Sequence, residues 1–189
     1  MSLQSVSYWL LPGRAAQAVV DQLSDQASRG IDSSRLPAHL TLHSEHVSAD
    51  HGVRVECVID QLQRLADHHQ SVLLRPRSIE AKPMFTQSLV LRFDANATQI
   101  LQPLLAQFRD PLRPSSIAAS DDQLDPHVSL LYSQAPLDVR RELAQQLPLP
   151  TDLLLFDRVG AVQHPRSIHS PTDIASFTLI ETLPLTSSS

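Results

Sequence analysis

The sequence is poor in the residues that build disulfide frameworks or basic surfaces. Its 189 residues include one cysteine, Cys57, which excludes an internal disulfide and fits a reducing compartment. The 15 lysines and arginines are outnumbered by 20 acidic residues, for a net charge of −5. This balance argues against a broad surface for DNA or long RNA. A small nucleotide is compatible with it, because such a ligand needs only a local pocket.

The sequence also lacks long apolar runs. No segment approaches the roughly 18 apolar residues of a membrane span. The initial segment 1–14 has neither the basic region nor the apolar length of a signal peptide. With 42% hydrophobic residues, the composition is that of an ordinary globular domain. We therefore expect one cytoplasmic, monomeric domain over 1–189 that uses no membrane, with residues 185–189 as a flexible tail.

Hydrophobic periodicity predicts an α+β protein. Alternating or continuous apolar runs predict strands over 5–12, 39–43, 71–82, 86–93, 126–132, 153–163 and 174–183. Helical spacing predicts helices over 14–29, 52–68, 100–108 and 139–147. The order of elements in the first half of the chain recurs in the second. We therefore expect two pseudo-symmetric lobes around a central cleft, each a mostly antiparallel sheet backed by helices.

Two predicted strands carry a histidine and a hydroxyl residue two positions apart. They are His39 with Thr41 in "HLTL", and His127 with Ser129 in "HVSL". Because side chains alternate along a strand, each pair shares one face while leucines and valine occupy the other. Four of the nine histidines have Ser or Thr two residues later, so the spacing alone is weak. The matched apolar context and the corresponding places in the two half-chains make these two pairs specific.

This arrangement suits phosphodiester cleavage without a metal. One neutral histidine can take a proton from the attacking water, and one protonated histidine can give a proton to the departing sugar oxygen. An unperturbed imidazole, with a pKa near 6.5, supplies both forms near neutral pH. The Thr41 and Ser129 hydroxyls can donate hydrogen bonds to the non-bridging phosphate oxygens. The sequence therefore predicts His39 and His127 as catalytic residues, with no cofactor and no metal.

These motifs resemble the 2H phosphoesterase superfamily, and within it the plant and yeast cyclic phosphodiesterases. The stretch "PHVSLLY" at 126–132 is similar to the second motif of that family, including the terminal tyrosine. "YWLLP" at 8–12 resembles its N-terminal strand, and "KPMFTQSLVLRF" at 82–93 its strand between the motifs. The first motif departs slightly, since Ala38 separates Pro37 from the histidine.

The resemblance implies hydrolysis of a cyclic phosphate on a ribose. The implied substrates are nucleoside 2′,3′-cyclic phosphates, opened to 2′-phosphates, or ADP-ribose 1″,2″-cyclic phosphate. It further implies that His127 activates water and His39 protonates the leaving oxygen, although the sequence leaves these roles interchangeable. Trp9, Phe85 and Tyr132 are candidates for the nucleoside pocket, and Gln87 for a substrate contact. Each aromatic has core packing as its alternative, and strict alternation places Tyr132 on the face opposite the catalytic histidine.

Several alternatives stay open from the sequence. Each motif histidine taken singly is compatible with a structural role. His39, His43, His46 and His51 fall within 13 residues, a density that suggests zinc. However, His39 and His43 on one strand face stand roughly 13 Å apart. We interpret His43 and His46 as surface residues at the strand end. RNA end processing, 2′-5′ RNA ligation and a non-catalytic nucleotide-binding module are the other functional readings.

Two further segments carry weaker hypotheses. The loop over 109–125 leads directly into the second motif, and its length is typical of lids or disordered segments. Arg75, Arg77 and Lys82 form a basic cluster that is a candidate second phosphate contact for an ADP-ribose-like substrate. A solvated strand face explains this cluster equally well.

Overall fold

The computed structural model describes residues 3–47, 52–108 and 124–186. One antiparallel sheet of eight strands forms the frame, in the order β3-β7-β1-β2-β6-β5-β4, with β8 paired to β7. The strands are β1 (Gln4–Pro12), β2 (Leu40–His46), β3 (Val72–Leu74), β4 (Pro76–Glu80), β5 (Leu89–Phe93), β6 (His127–Leu131), β7 (Leu154–Pro165) and β8 (Thr178–Pro184). The helices are α1 (Arg14–Ala27), α2 (Val55–His68), α3 (Asn96–Ala106), α4 (Leu137–Gln146) and α5 (Pro171–Ala175).

The sheet consists of two lobes that meet at a narrow seam. The first lobe contains β1, β2, β3, β7 and β8, and the second contains β4, β5 and β6. The two strands at the seam, β2 and β6, are joined through the register pair Leu40 and Val128, both fully buried. These are the two strands that carry the His-x-Ser/Thr motifs. The α+β class with two lobes is therefore confirmed, and the motifs lie at the junction of the lobes.

The lobes are not consecutive halves of the chain, as the repeated order of elements suggested. The last two strands, β7 and β8, extend the sheet beside β1 in the N-terminal lobe. A single predicted strand over 71–82 is in fact β3 and β4, which belong to different lobes. The break falls at Arg75, between Leu74 and Pro76, and Pro76 has no backbone N–H with which to continue the ladder with β7. The chain thus crosses between the lobes at this point.

Helices cover one face of the sheet. Val6, Tyr8 and Leu10 of β1 point to this side and join the main core. Apolar residues of α1, α2 and α3 complete that core, including Leu23, Leu62 and Leu101. The other residues of β1, from Ser5 to Trp9 at every second position, face the opposite side. Alternation along β1 therefore separates an apolar face under the helices from a polar face that is available for a site.

The C-terminal segment differs from the expected strand over 174–183, because its beginning is the short helix α5. Ser170 Oγ accepts a hydrogen bond from the Asp173 backbone N–H, and the Asp173 carboxylate accepts one from the Ser170 backbone N–H. With Pro171 at the first helical position, this is a capping box. The sequence signal for this helix is the Ser-x-x-Asp pattern of residues 170–173. The apolar residues that follow this pattern suggested a strand instead.

The expected tail is held at its start. The Leu185 backbone N–H donates to the Asp157 carbonyl oxygen at 2.8 Å, and the Thr186 backbone N–H donates to the His69 carbonyl oxygen at 3.1 Å. Residues 187–189 and the greater part of the predicted loop over 109–125 lie outside the described residues. Among the helices that the structure describes, none has the length and apolar content needed to cross a membrane.

We expect a substitution at the centre of the seam to lower the stability of the protein strongly. Leu40→Ala removes a fully buried side chain where both lobes and the helices meet. The free energy of unfolding should fall by about 2–5 kcal/mol, because a cavity remains in the core. Leu179→Ala, at a side chain that is 59% exposed, is the matched control and should stay within about 0.5 kcal/mol of wild type. Urea denaturation measures both, and equal midpoints for the two variants would contradict this account of the seam.

Candidate active site

A cleft opens on the sheet face opposite the helices and spans the seam between the lobes. It encloses about 670 Å³, counting the space at its open mouth. Among the described residues, no lysine, arginine, aspartate or glutamate lines it. The lining residues are Ser7, Trp9, Leu36, His39, Thr41, Ser44, Thr86, Gln87, His127, Ser129, Tyr132, His164, Ile168 and Phe177.

His39 lies at the wall of the cleft, directly before β2, and two contacts orient its ring. Its ring stacks on the indole of Trp9, with ring centroids 3.6 Å apart and planes 11° apart. Nδ1 lies 2.7 Å from the Pro37 carbonyl oxygen. Burial lowers the pKa of His39 to about 4, because desolvation outweighs the hydrogen bond to Pro37, and the charges of His127 and His164 lower it further. His39 is therefore neutral at pH 7.

His127 faces the cleft from β6 in the second lobe, in a more polar setting. Its Nδ1 lies 2.7 Å from the Asp125 carbonyl oxygen, and the Asp125 carboxylate is 3.9 Å away. Burial lowers the pKa of His127, while the Asp125 carbonyl and carboxylate oppose this shift and Arg92 adds to it. His127 is 21% exposed in its side chain, whereas His39 is 8% exposed as a residue. Of the two, His127 is the better placed to carry a proton.

The two motif histidines are oriented by the same kind of hydrogen bond. In each, Nδ1 meets the backbone carbonyl of the residue two positions earlier, Pro37 for His39 and Asp125 for His127. A carbonyl oxygen only accepts hydrogen bonds, so Nδ1 carries the proton. This fixes the tautomer of the neutral ring and leaves Nε2 as the nitrogen that exchanges protons.

Each motif strand contains a bulge directly after its hydroxyl residue. In β2, Trp9 pairs with Thr41 but Tyr8 pairs with His43, so Leu42 is the extra residue. In β6, Val90 pairs with Ser129 but Leu89 pairs with Leu131, so Leu130 is the extra residue. An extra residue reverses the alternation beyond it. The residue three positions after each hydroxyl residue is thereby turned into the cleft, and these residues are Ser44 and Tyr132.

The bulges explain two differences from the sequence analysis. Strict alternation placed Tyr132 opposite His127, but Tyr132 lines the cleft, where burial raises its pKa to about 12. Strict alternation also placed His43 on the face of His39. His43 is instead half-buried within β2 and stacks on Phe108 with centroids 4.7 Å apart, so it is not at the strand end.

The second lobe also supplies backbone and amide groups around Ser129. The Ser129 hydroxyl donates to the Thr86 carbonyl oxygen at 2.9 Å, in the 3₁₀ turn Phe85–Gln87. Gln87 lines the cleft, and its amide oxygen accepts a hydrogen bond from Arg92 at 3.3 Å. Arg92 in turn pairs with Glu80 and Asp125. Its positive charge is thus balanced by carboxylates beside the cleft.

Most of the residues predicted from the sequence come together here. His39, Thr41, His127, Ser129, Trp9, Gln87 and Tyr132 all line the cleft. Phe85 does not, and its ring lies 6.1 Å from that of Tyr132. The basic cluster of Arg75, Arg77 and Lys82 also contributes no lining residue. Lys82 pairs with Glu80 at 3.0 Å instead.

Sequence reasoning missed the contributions of β7 and of the chain after it. His164, Ile168 and Phe177 all line the cleft, although they lie roughly 35 to 50 residues beyond the second motif in the sequence. Ser7 and Ser44 were also missed. Alternation from Trp9 identifies Ser7, whereas Ser44 requires knowledge of the bulge. Among the described residues, no three His, Cys, Asp or Glu side chains are grouped so that they could hold a metal ion.

Comparison with known proteins agrees with this geometry at the level of the fold. No family model and no curated protein matches the sequence, but solved structures match nearly the whole chain. TT0787 of Thermus thermophilus is 17% identical, with a TM-score of 0.63 over 96% of this chain and 97% of that one. The chain has the 2H phosphoesterase fold.

Two further solved structures share this 2H phosphoesterase fold. E. coli LigT in complex with 3′-AMP is 16% identical, with a TM-score of 0.54 over 97% of this chain and 99% of that one. Kluyveromyces marxianus Usb1 is 15% identical, with a TM-score of 0.50 over 97% of this chain and 98% of that one. The match extends over both lobes in each case.

The burial of His39 predicts a loss of stability in acid. In the unfolded chain its pKa is near 6.5 and in the folded protein about 4, so between these values the unfolded state binds a proton that the folded state does not. The free energy of unfolding therefore falls as pH drops from 6.5 towards 4. His39→Gln should reduce the difference between pH 7 and pH 4.5 by about 2–3 kcal/mol.

Urea denaturation of each variant at the two pH values measures this effect. His68→Gln changes an exposed histidine on α2, away from the cleft, and should retain most of the wild-type pH dependence. His127 and His164 also have lowered pKa values, so part of the dependence survives in His39→Gln. An unchanged pH dependence in His39→Gln would show that His39 is not the buried neutral ring described here.

Proposed function

We propose that this 2H-fold protein is a metal-independent phosphodiesterase that opens a ribose cyclic phosphate. The substrate is a nucleoside 2′,3′-cyclic phosphate, hydrolysed to the 2′-phosphate, or an ADP-ribose 1″,2″-cyclic phosphate. The observation that carries the proposal is the pairing across the seam of two histidines, His39 and His127, each with a hydroxyl residue on the same face. The cleft is small, and histidines are its ionisable lining groups at neutral pH, which suits a small phosphodiester.

His39 is the general base in this proposal. Its ring is neutral at pH 7 because burial lowers its pKa to about 4. The Nδ1 proton is committed to the Pro37 carbonyl oxygen, so Nε2 has a free lone pair for the proton of the attacking water. As the water oxygen bonds to phosphorus, its proton passes to Nε2. The indole of Trp9 holds the ring plane during this transfer.

His127 is the general acid. The bond between phosphorus and one ribose oxygen breaks, and that oxygen takes the proton from Nε2 of protonated His127. The Asp125 carboxylate and carbonyl favour the protonated ring, and a bound phosphate anion favours it further. This assignment reverses the order implied by the resemblance to cyclic phosphodiesterases. It rests on the deeper burial of His39.

The hydroxyl groups hold the charge that develops on the phosphate. Thr41 and Ser129 lie on the cleft face two residues after the base and the acid, so both hydroxyls can reach non-bridging oxygens of one phosphate. Ser129 releases its hydrogen bond to the Thr86 carbonyl oxygen when it turns to the substrate. Tyr132, also in the cleft, has a raised pKa of about 12 and so remains a neutral donor at working pH.

The nucleoside then lies along the apolar wall of the cleft. Trp9 is already stacked on His39 and 3% exposed. Its role is therefore to hold the imidazole of the general base, His39, rather than to stack on the nucleoside. Leu36, Ile168 and Phe177 form the remaining apolar lining. Phe177 also stacks on His164 but is only half-buried, unlike Trp9, so it is the aromatic lining residue left to contact the nucleobase, and such stacking contributes about 1–3 kcal/mol.

RNA end processing is the second candidate, because one structural neighbour, E. coli LigT, is solved in complex with 3′-AMP, a ribonucleotide with a phosphate on its 3′ oxygen. Against it stands the charge of the site, since no cation lines the described part of the cleft and the net charge is −5. A longer strand would need basic contacts along its backbone. Comparing a cyclic mononucleotide with an oligonucleotide that ends in a cyclic phosphate separates the two, because this candidate requires a strong preference for the oligonucleotide.

Both histidines should be essential for hydrolysis. His39→Ala and His127→Ala should each lower kcat/KM for a 2′,3′-cyclic nucleotide by roughly 10²–10⁴-fold, the usual contribution of a general acid or base. The assay is run in EDTA, with the 2′ and 3′ products resolved by chromatography. His68→Ala, on the exposed face of α2, is the control and should retain wild-type rates. Full activity in either cleft variant, or loss of wild-type activity in EDTA, would refute the mechanism.

A substrate with a good leaving group should distinguish the base from the acid. A p-nitrophenyl phosphodiester releases a phenolate that needs no proton from the enzyme. On this substrate His127→Ala should lose less than about tenfold in rate, whereas His39→Ala should keep its loss of roughly 10²–10⁴-fold. The opposite pattern would assign the base to His127 and the acid to His39. Stopped-flow absorbance of released p-nitrophenol gives both rates.

A further inference from the structure

A second group of serines and histidines continues the polar face beyond the catalytic pair. It consists of Ser5, Ser7, Ser44, His46 and His164, which we call the serine–histidine row. In β1 and β2, Ser7 pairs with Ser44 and Ser5 with His46, while Ser5 also pairs with His164 of β7. Ser7, Ser44 and His164 line the same cleft as His39. The row is therefore contiguous with the proposed catalytic site.

Direct hydrogen bonds join the members of the row. The Ser7 hydroxyl lies 2.7 Å from Nε2 of His164 and 2.6 Å from the Ser44 hydroxyl. The Ser5 hydroxyl lies 2.9 Å from Nδ1 of His46. Ser7 and His164 are 4% and 6% exposed, so the contact between them forms largely without water, whereas Ser44 and His46 are exposed.

The direction of these hydrogen bonds follows from the His164 tautomer. Nδ1 of His164 lies 2.7 Å from the Pro165 carbonyl oxygen and therefore carries a proton. In the neutral ring Nε2 has only a lone pair, so the Ser7 hydroxyl donates to it. The Ser7 oxygen then accepts from the Ser44 hydroxyl. In this state the chain of hydrogen bonds runs from Ser44 through Ser7 to His164, and the proton of Ser44 is engaged by Ser7.

Protonation of His164 reverses the chain. The new Nε2–H donates to the Ser7 oxygen, Ser7 donates to Ser44, and the Ser44 hydroxyl becomes free to donate into the cleft. The buried imidazolium then adds a positive charge behind the two hydroxyls. A neutral row is thus converted by one proton into an anion-binding row, although His164 itself need not touch the anion.

The surroundings of His164 favour the neutral state until an anion arrives. The ring stacks on Phe177, with centroids 4.8 Å apart and planes 11° apart. The titratable groups near it are His46 on β2 and His39 directly before β2, and neither supplies negative charge. From β1 the row receives only serines. Burial lowers the pKa of His164, and the charge of His46 lowers it further.

We propose that the Ser44–Ser7–His164 part of the row binds a second phosphate of the substrate, carried on the 5′ oxygen of the ribose whose cyclic phosphate is opened, and that His164 takes up a proton as this phosphate binds. The inference rests on the proposed function, since it places the cyclic phosphate at His39 and His127. From Trp9 to Ser7 the strand advances roughly 6.6 Å, a span that one ribose bridges between its two phosphates.

This subsite replaces the basic cluster as the second phosphate contact. Arg75, Arg77 and Lys82 contribute nothing to the cleft lining, whereas Ser7, Ser44 and His164 all do. A metal ion is a poor alternative occupant, because the described residues contain no group of three ligand side chains suited to one. The group that binds here is therefore a phosphate monoester or diester on the 5′ oxygen of the ribose, as in a dinucleotide or a diphosphate-linked ribose.

Calorimetric binding of two matched ligands tests the proposal without catalysis. The first is adenosine 2′-phosphate, and the second is the same nucleotide with a methyl phosphate on its 5′ oxygen. The methyl ester has one negative charge and no proton that titrates near pH 7, so any additional proton uptake belongs to the protein. Titrations at pH 7 in buffers of different ionisation enthalpy give the affinity and the number of protons bound. Wild type should bind the second ligand roughly tenfold or more tightly and take up additional protons.

Two variants assign the effect to the row. In His164→Gln the preference for the second ligand should collapse and the additional proton uptake should disappear, although the affinity for adenosine 2′-phosphate changes less. Ser44→Ala, at an exposed position, should lose the preference without endangering the fold. His68→Gln, far from the cleft on α2, is the control and should keep both the preference and the proton uptake. Thermal melting confirms that each variant is folded.

The outcomes separate this inference from the proposed function. Equal binding of the two ligands by wild type, or a preference that survives in His164→Gln with unchanged proton uptake, overturns the subsite. The proposed function stands in that case if 2′,3′-cyclic nucleotides are hydrolysed. If neither ligand binds and no cyclic phosphate is opened, both proposals fail together.

Discussion

The hydrogen bond from a histidine Nδ1 to a backbone carbonyl is the interaction on which the site depends. It occurs at His39, His127 and His164. Each bond fixes one tautomer and directs Nε2 towards its partner, which is the cleft in the motif histidines and Ser7 in the third. Without this constraint, neutral rings would exchange tautomers, and the direction of proton movement would not be defined. The backbone therefore decides what each imidazole can do.

The three chemically similar rings differ in their surroundings, and in the proposed mechanism this difference assigns them different roles. His39 lies against Trp9 and has the pKa most clearly lowered, to about 4. His127 has the Asp125 carboxylate beside it, and His164 has hydroxyl partners in place of a carboxylate. Separated ionisation of like groups is how one site supplies both a base and an acid near neutral pH. The empty cleft therefore carries little positive charge, and in the proposed mechanism the substrate anion itself favours the protonated forms of His127 and His164.

Much of this could be predicted from the sequence because it is local. The alternation in "HLTL" and "HVSL" places each histidine on one face with its hydroxyl residue, and the described strands do so. The α+β class follows from the periodicities. The predictions that were wrong concern the residues after each motif. Their cause is also local, but simple alternation along a strand does not predict it. The bulges at Leu42 and Leu130 reverse the faces of the strand beyond them, which moves His43 out of the cleft and Tyr132 into it.

The sequence by itself determined the residues of the two motifs, the apolar faces that bury their strands, and the acidic balance that disfavours long nucleic acids. Those properties depend on side-chain chemistry and short-range geometry alone. Only the tertiary structure decided that the C-terminal strands lie beside β1. This non-local pairing brings His164 and Phe177 to the cleft that the motif histidines line. It also sets the burial that separates the ionisation of the histidines, since desolvation depends on which distant residues come to surround a ring.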